Sequence, residues 1–214
     1  MKLNLEGRVA MVTGSSKGIG QSITNLLLKE GVKVYGISRT DNMDLSTQEG
    51  LEQAKKIIKE INPSILINNV GGFGRKYDFI ASYYGAFNIN CVPMFELTDE
   101  FLHRLCSLNR PHESGRVITI SSIYGKEAGL NPFFTAAKAY QVAYMKEMSR
   151  KFRQRNITFN TICPGEIDVG KVEKQSHFGK PEDVANLVAF LCSDLAKHIN
   201  GACITVDGGE SYSY

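Results

Sequence analysis

Thr13-Gly14-Ser15-Ser16-Lys17-Gly18-Ile19-Gly20 decides the fold of this chain. It follows a β-branched run at residues 8–13. It opens a stretch at 18–30 in which Ile19, Ile23, Leu26 and Leu27 share one helical face, ended by Gly31. Strand, glycine turn and helix thus come in that order. Gly14 permits a tight turn, while Gly18 and Gly20 let a phosphate and a strand come close to backbone. The N–H groups at the helix start then face an anion. A glycine motif alone is a weak signal, and this setting is what makes it a dinucleotide site. Gly14, Ser16, Lys17, Gly18, Ile19 and Gly20 are its expected contacts.

Outward from the turn, short β-branched runs alternate with longer amphipathic ones. Residues 32–38, 64–68, 116–121, 157–162 and 202–206 read as further strands. Residues 47–61, stopped by Asn62-Pro63, read as a helix, as do 135–155 and 181–193. This alternation predicts a doubly wound parallel sheet, a three-layer α/β/α Rossmann fold. No repeat, linker or low-complexity stretch interrupts it, so one domain is expected over residues 1–214.

The second strand ends in Gly36-Ile37-Ser38-Arg39-Thr40. A carboxylate at this point of a Rossmann site bonds the adenine-ribose 2′-hydroxyl, whereas an arginine accepts a 2′-phosphate. No carboxylate occupies the strand end. Arg39, beside Ser38, offers a planar fork suited to phosphate, and Lys17 adds a second positive charge. NADP(H) is therefore expected in preference to NAD(H).

Bulk properties exclude several classes. A 43% hydrophobic and 22% charged chain of 214 residues is ordinary for a soluble globular protein. A net charge of +3 is too small to imply nucleic acid, and the basic run at 150–155 reads as a helix end with cations on the negative pole of the dipole. Five scattered cysteines without a C-x-x-C pair argue against a disulfide framework and a zinc site, so no metal is expected. No signal-like N-terminus or membrane-length apolar run occurs, which points to the cytoplasm.

Further segments fall in an order that resembles the short-chain dehydrogenase/reductase family. Asn68-Asn69-Val70-Gly71 is similar to the family's N-N-A-G, and Asp44-Leu45 to the pair beside its adenine ring. Asn90 falls at its helix asparagine. Ser122 and Lys138 match its catalytic serine and lysine. Pro164-Gly165-Glu166-Ile167 resembles its P-G segment, and Val206-Asp207-Gly208-Gly209 its C-terminal V-D-G-G. The resemblance covers essentially the whole chain. It implies coenzyme contacts at Ser38, Arg39, Asp44, Leu45, Asn69, Val70, Gly71, Lys138, Pro164, Gly165 and Ile167. It further implies that hydride passes between a nicotinamide and a carbonyl carbon. Serine orients the substrate oxygen, asparagine holds a relay water, and lysine grips the ribose and lowers the pKa of a tyrosine that donates the proton.

That tyrosine is absent: Phe134 stands four residues before Lys138. A positioned acid contributes about 10²–10⁴-fold, so a slow reductase is the most such a site could give. Three accounts stay open. A natural subfamily could use another donor, either Tyr124 or water held by Ser122 and Lys138. The phenylalanine could be an engineered Tyr→Phe change. Or the protein could bind NADP(H) without catalysis. Ser122 lies 12 positions before Phe134 and Ser121 lies 13, so Ser121 is a fallback for the serine.

The family's helix between its second and third strands has no room here, because only residues 40–43 separate Arg39 from Asp44. The segment 167–178 is too short for a large lid, which implies an open cleft for a bulky or carrier-bound substrate. Residues 71–77 are expected on its rim, with Arg75 and Lys76 available to an anionic group. The tail at 211–214 is expected either loose or packed on a partner subunit. Relatives pair through helices matching 95–108 and 135–155, so the resemblance implies a homodimer or homotetramer. The expected activity is an NADP(H)-dependent interconversion of a ketone and a secondary alcohol, with an altered or impaired donor.

Overall fold

The computed structural model describes residues 2–73, 79–107, 114–129, 131–170 and 178–213, with backbone only for 79–83. Its strands are β1 (Val9–Thr13), β2 (Lys33–Ile37), β3 (Ile65–Asn68), β4 (Gly115–Ile120), β5 (Ile157–Pro164) and β6 (Cys203–Val206). Its helices are α1 (Gly18–Lys29), α2 (Gln48–Ile61), α3 (Phe79–Asn90), α4 (Val92–Ser107), α5 (Pro132–Lys151) and α6 (Pro181–Cys192). The strands form one parallel sheet in the order β2-β1-β3-β4-β5-β6. This is the expected doubly wound Rossmann architecture.

Side-chain alternation builds two cores. Val12 faces α1 and α6, where it joins Ile23, Leu27, Val184 and Val188. Its neighbour Met11 faces the other way, toward Ala54 and Ile58 of α2 and Leu97 and Phe101 of α4. Every residue of β3, β4 and β5 is buried, as strands covered on both faces must be. β2 and β6 are the edges and stay partly exposed.

The expected elements all form, with shifted ends. Helix α5 begins at Pro132, three residues before the predicted start, because the Asn131 side chain accepts from the amides of Phe133 and Phe134 at 2.9 and 3.1 Å. Asparagine as N-cap and proline at the first helical position nucleate the turn. Phe134 is thereby in the first turn, and Lys138 lies one turn later on the same face. The helix stops at Lys151, so only part of the basic run belongs to it. Helix α4 starts three residues before the expected Phe95, and Leu108 lies outside the described residues. The sequence reading gave no bounds for α3, whose mixed apolar run shows no clear period.

Between Arg39 and Asp44 there is a single 3₁₀ turn, Arg39–Asp41, and no α-helix. Beyond the P-G segment, Ile167 bridges to Gly179, and the Asp168 amide donates to the Gly179 carbonyl at 2.9 Å. The two ends of this short segment are thus pinned together; residues 171–177 lie outside the described set, as do 74–77 of the expected rim and Tyr214 of the tail. The Ser211 amide donates to the Asp207 carboxylate at 2.8 Å, and the Tyr212 and Ser213 amides donate to Glu127. The tail so far as described packs on its own chain. No helix among the described residues is long and apolar enough to cross a membrane.

The glycine turn itself is tightly constrained. Gly14 and Gly18 have φ of +67° and +55°, in the left-handed region. Gly20 has no such requirement, yet a Cβ there would run into the Gly14 carbonyl oxygen and the Asn69 amide. Gly20→Ala is expected to destabilise the protein by about 1–3 kcal/mol through overpacking alone, read by urea unfolding. A fully neutral Gly20→Ala would mean that helix α1 can move away from the turn.

Candidate functional site

A cleft of about 550 Å³ opens beyond the C-terminal ends of β1, β2 and β3. Helix α1 contributes Gly18, Ile19 and Gly20 to its wall, and the turn before it contributes Gly14, Ser16 and Lys17. Ser38, Arg39, Asp44 and Leu45 line the second-strand side, and Asn69, Val70 and Gly71 the third. Every coenzyme contact expected from these three regions therefore borders one cavity. Thr40, Met43, Ile89 and Val169 also line it and were not anticipated. Only the spacing of Thr40 and Met43 within the loop at 39–45 could have suggested two of them.

Side-chain hydrogen bonds hold this wall in shape. The Thr13 hydroxyl accepts from the Asn69 and Val70 amides at 2.9 and 3.2 Å, and donates to the Ile67 carbonyl. The Asn69 side-chain amide donates to the carbonyls of Thr13 and Gly14 at 3.0 and 3.2 Å. The ends of β1 and β3 are thus clamped together, and Asn69 serves the turn as a strut. The Ser38 hydroxyl donates to the Asp41 carboxylate at 2.5 Å and lies 2.6 Å from the Thr40 hydroxyl. Asp41 is a carboxylate close to the strand end that the sequence reading passed over; the Ser-x-x-Asp spacing is its only signal.

The residues fit a dinucleotide phosphate. The N-cap residue of α1, Lys17, makes no side-chain cap, so the first amides of the helix are not closed off by it. The glycines leave a cradle that a Cβ at Gly20 would fill. Arg39 and Lys17 supply positive charge on the same wall.

A second cavity of about 380 Å³ shares Ile19, Asn69, Gly71 and Val169 with the first, so the two form one cleft. Ser121, Ser122, Phe134, Lys138, Pro164, Gly165 and Ile167 line it, together with Phe73. The Phe73 and Phe134 rings lie 4.7 Å apart, which makes one side of this cavity apolar. Lys138 is buried beside them, its Nζ 5.5 Å from the centre of the Phe134 ring and donating to the Ile120 carbonyl at 3.1 Å. A Cβ on Gly71 would sit 3.1 Å from that Nζ, so the ammonium borders the junction of the two cavities. Burial pushes the Lys138 pKa down to about 8 from 10.5.

The two serines are distinct. Ser121 spends its hydroxyl on the Lys138 carbonyl at 3.0 Å. Ser122 uses its oxygen only to accept from the Tyr124 amide at 3.3 Å and lines the cavity with its remaining capacity. Geometry thus favours Ser122 over Ser121. Tyr124 and Asn90 line neither cavity. Burial first, then Glu210, Glu166 and Glu127, raise the Tyr124 pKa. The Asn90 side-chain nitrogen donates to Gly72 and Ala86, both at 2.7 Å, and its oxygen accepts from the Gly72 amide. Its main-chain carbonyl accepts from Gln141 at 2.6 Å. Asn90 therefore braces the Gly71-Gly72 wall, and these polar atoms are already engaged where the resemblance implied a relay water. Gln141, fully buried, is a supporting residue without any local sequence signal. Among the described residues no group of three or more His, Cys, Asp or Glu is placed to hold a metal.

The family model described as Enoyl-(Acyl carrier protein) reductase matches residues 42–211. The 3-oxoacyl-[acyl-carrier-protein] reductase FabG of Aquifex aeolicus is 27% identical over 252 aligned residues, spanning 98% of this chain and 99% of that protein. FabG of Escherichia coli K12 is 28% identical over 246, spanning 97% and 98%. Both alignments exceed the 214 residues present here, so these relatives carry segments this chain lacks. Two solved structures share the fold. A chain from Beutenbergia cavernae described as an NAD(P)-dependent gluconate 5-dehydrogenase, with bound NADP, has a TM-score of 0.86 at 23% identity, covering 98% of each chain. The 3-ketoacyl-(acyl-carrier-protein) reductase of Brucella melitensis complexed with NADH has a TM-score of 0.86 at 20% identity, covering 97% of this chain and 99% of that one.

Lys138 makes its own contribution to the pH dependence of folding in the coenzyme-free protein. Between pH 8 and 10.5 the unfolded lysine holds a proton that the folded one has released, so the Lys138 contribution to stability rises with pH across that window. Below pH 8 the burial penalty is fully present, roughly 3 kcal/mol for the shift. Lys138→Met is expected to be more stable at pH 7 by about 2 kcal/mol, after about 1 kcal/mol is lost at the orphaned Ile120 carbonyl. That gain should shrink as the pH rises from 8 toward 10 in urea titrations. A gain that stays constant with pH would refute the burial argument.

Proposed function

Because the chain belongs to the short-chain dehydrogenase/reductase family, an oxidoreductase family, we propose that it uses NADP(H) to interconvert a ketone and a secondary alcohol with a displaced proton donor. The observation that carries this reading is one continuous cleft bordered by the glycine turn, Arg39, Ser122 and Lys138. Arg39 and Lys17 receive the 2′-phosphate. Lys138 holds the ribose, and Pro164, Gly165 and Ile167 flank the reacting ring. The bound coenzyme supplies or accepts hydride. Ser122 orients the substrate oxygen, and Phe73 with Phe134 excludes water from its apolar side. The proton comes from Lys138 through water held by Ser122, because a lysine with a pKa of about 8 is a competent acid near neutrality. Tyr124 is the weaker candidate, since its ring packs by Gly129 and it does not border the cleft.

A 3-oxoacyl group on a carrier is the favoured substrate class. The curated relatives carry that name, and the segment after Gly165 is short, its ends bridged at Ile167 and Gly179. A second copy of the chain is the favoured partner. Phe95 and Tyr140 remain 44% and 38% exposed on α4 and α5, the two helices through which the resemblance implies pairing. Metal and nucleic acid have no part in this reading, and a cytoplasmic location accords with it. A silent NADP(H)-binding protein is the second reading, favoured by the missing phenol and by Asn90 being fully engaged.

Fluorescence titration should show NADPH binding more tightly than NADH. Arg39→Ala should weaken NADPH at least tenfold and leave NADH nearly unchanged; equal losses for both would remove the 2′-phosphate role. Against a panel of 3-oxoacyl thioesters and simple ketones, Phe134→Tyr should raise turnover by about 10²–10⁴-fold. The parent's reduction rate should fall as pH rises through about 8, where Lys138 loses its proton. Tight NADPH binding with no turnover in the parent would favour the silent reading.

A further inference from the structure

Two cysteines that play no part in the proposed chemistry lie against each other behind the substrate cavity. Cys163 is in β5, one residue before the Pro164-Gly165 wall, and Cys203 begins the edge strand β6. Their sulfurs are 3.3 Å apart. Register explains the approach. Cys163 pairs with Thr205 and Thr161 with Cys203, so both thiols project from the same sheet face. Lys126 reaches this face and donates to the Thr205 hydroxyl at 3.0 Å. Cys163 is buried, whereas Cys203 is partly exposed to solvent.

The pair is electrostatically unequal. The contact with the Cys163 thiol stabilises the Cys203 thiolate, Lys126 adds to that, and burial opposes it; the balance lowers the Cys203 pKa to about 7. Cys163, the more buried of the two, keeps its proton and its pKa is raised. A partly exposed sulfur with thiolate character beside a cation is the kind that oxidants attack, and a second thiol in contact resolves the product. Cys163 has one more polar neighbour, the Ser122 amide, which works against the rise of its pKa. Any change of bonding at Cys163 therefore bears directly on the cavity wall.

The geometry points to Cys203 and Cys163 as a peroxide-reactive dithiol, in which Cys203 is the attacked sulfur and Cys163 the resolving one. The Cys203 thiolate attacks hydrogen peroxide, takes one oxygen as sulfenic acid and releases hydroxide, which leaves as water. The Cys163 sulfur then displaces the Cys203 hydroxyl, which leaves as water with the Cys163 proton. Two thiols lose two electrons, and one peroxide becomes two waters. A dithiol reductant returns both electrons and restores the pair. Cys163 and Cys203 are diagonal in the β5–β6 register, so bridging them draws the two strands together there and leaves the nearby Ser122 and Gly165 amides less protected. This consequence is independent of whether the cleft takes NADP(H).

The test is dilute hydrogen peroxide on the whole coenzyme-free chain. Thiols titrated after denaturation should fall by two per chain, the mass should drop by about 2 Da, and peptide mapping should link Cys163 to Cys203. Dithiothreitol should reverse all three. Cys203→Ser, at a partly exposed edge position, should fold normally and abolish the bridge, while Cys106→Ser should leave it intact. Hydrogen exchange should quicken near Ser122 and Gly165 in the oxidised parent and not in oxidised Cys203→Ser. Oxidation confined to Cys106, or a bridge that survives in Cys203→Ser, would overturn the assignment. Unchanged exchange with the bridge formed would remove its link to the cavity. NADPH titration of the reduced protein stands apart, so failure of the coenzyme reading and failure of the dithiol are told apart.

Discussion

The contact between the backbone of Gly14 and helix α1 at Gly20 is the constraint on which the molecule depends. Helix α1 has to start almost on top of the turn for its first amides to face the cleft. That approach is possible only where no Cβ intervenes, and it is held by one side chain, Asn69, whose amide bonds the two successive carbonyls that open the turn, Thr13 and Gly14. Asn69 comes from the end of β3, so the turn is fastened to a strand more than fifty residues away. Thr13 completes the clamp through its hydroxyl. Binding geometry and sheet geometry are therefore one thing here: to loosen the clamp is to lose the cradle.

The second cavity is organised around a charge that it solvates poorly. Lys138 has one protein hydrogen-bond acceptor and an aromatic face for company. A phenol would have given this ammonium an oxygen to stabilise. Phe134 gives it a quadrupole, a weaker partner worth about 0.5–2 kcal/mol. Burial then dominates, and the lysine pKa moves toward neutrality.

Much of this was legible in the sequence because it is local. The glycine spacing, the strand ends and the Asn62-Pro63 stop each encode backbone behaviour within a few residues. So does Arg39, whose place follows from lying two residues beyond the end of β2. The start of α5 was misjudged although its signal, Asn131-Pro132, is just as local; a capping asparagine outranked the weak propensity of the aromatics that follow it. Helix α3 lacked such a marker, because an apolar run has no readable face.

The sequence by itself determined a doubly wound sheet, a dinucleotide turn and the absence of a phenol before Lys138, since each follows from residue type and short-range order. Tertiary structure alone decided that Ser121 spends its hydroxyl on Lys138 while Ser122 keeps capacity toward the cavity, that Asn90 is spent on Gly72, that Tyr124 lies off the cleft and that Cys163 touches Cys203. The physical reason is the same in each case. Whether a polar atom is free depends on which distant carbonyl, amide or sulfur the fold brings within 3 to 3.5 Å, and one dimension of sequence carries no such distance.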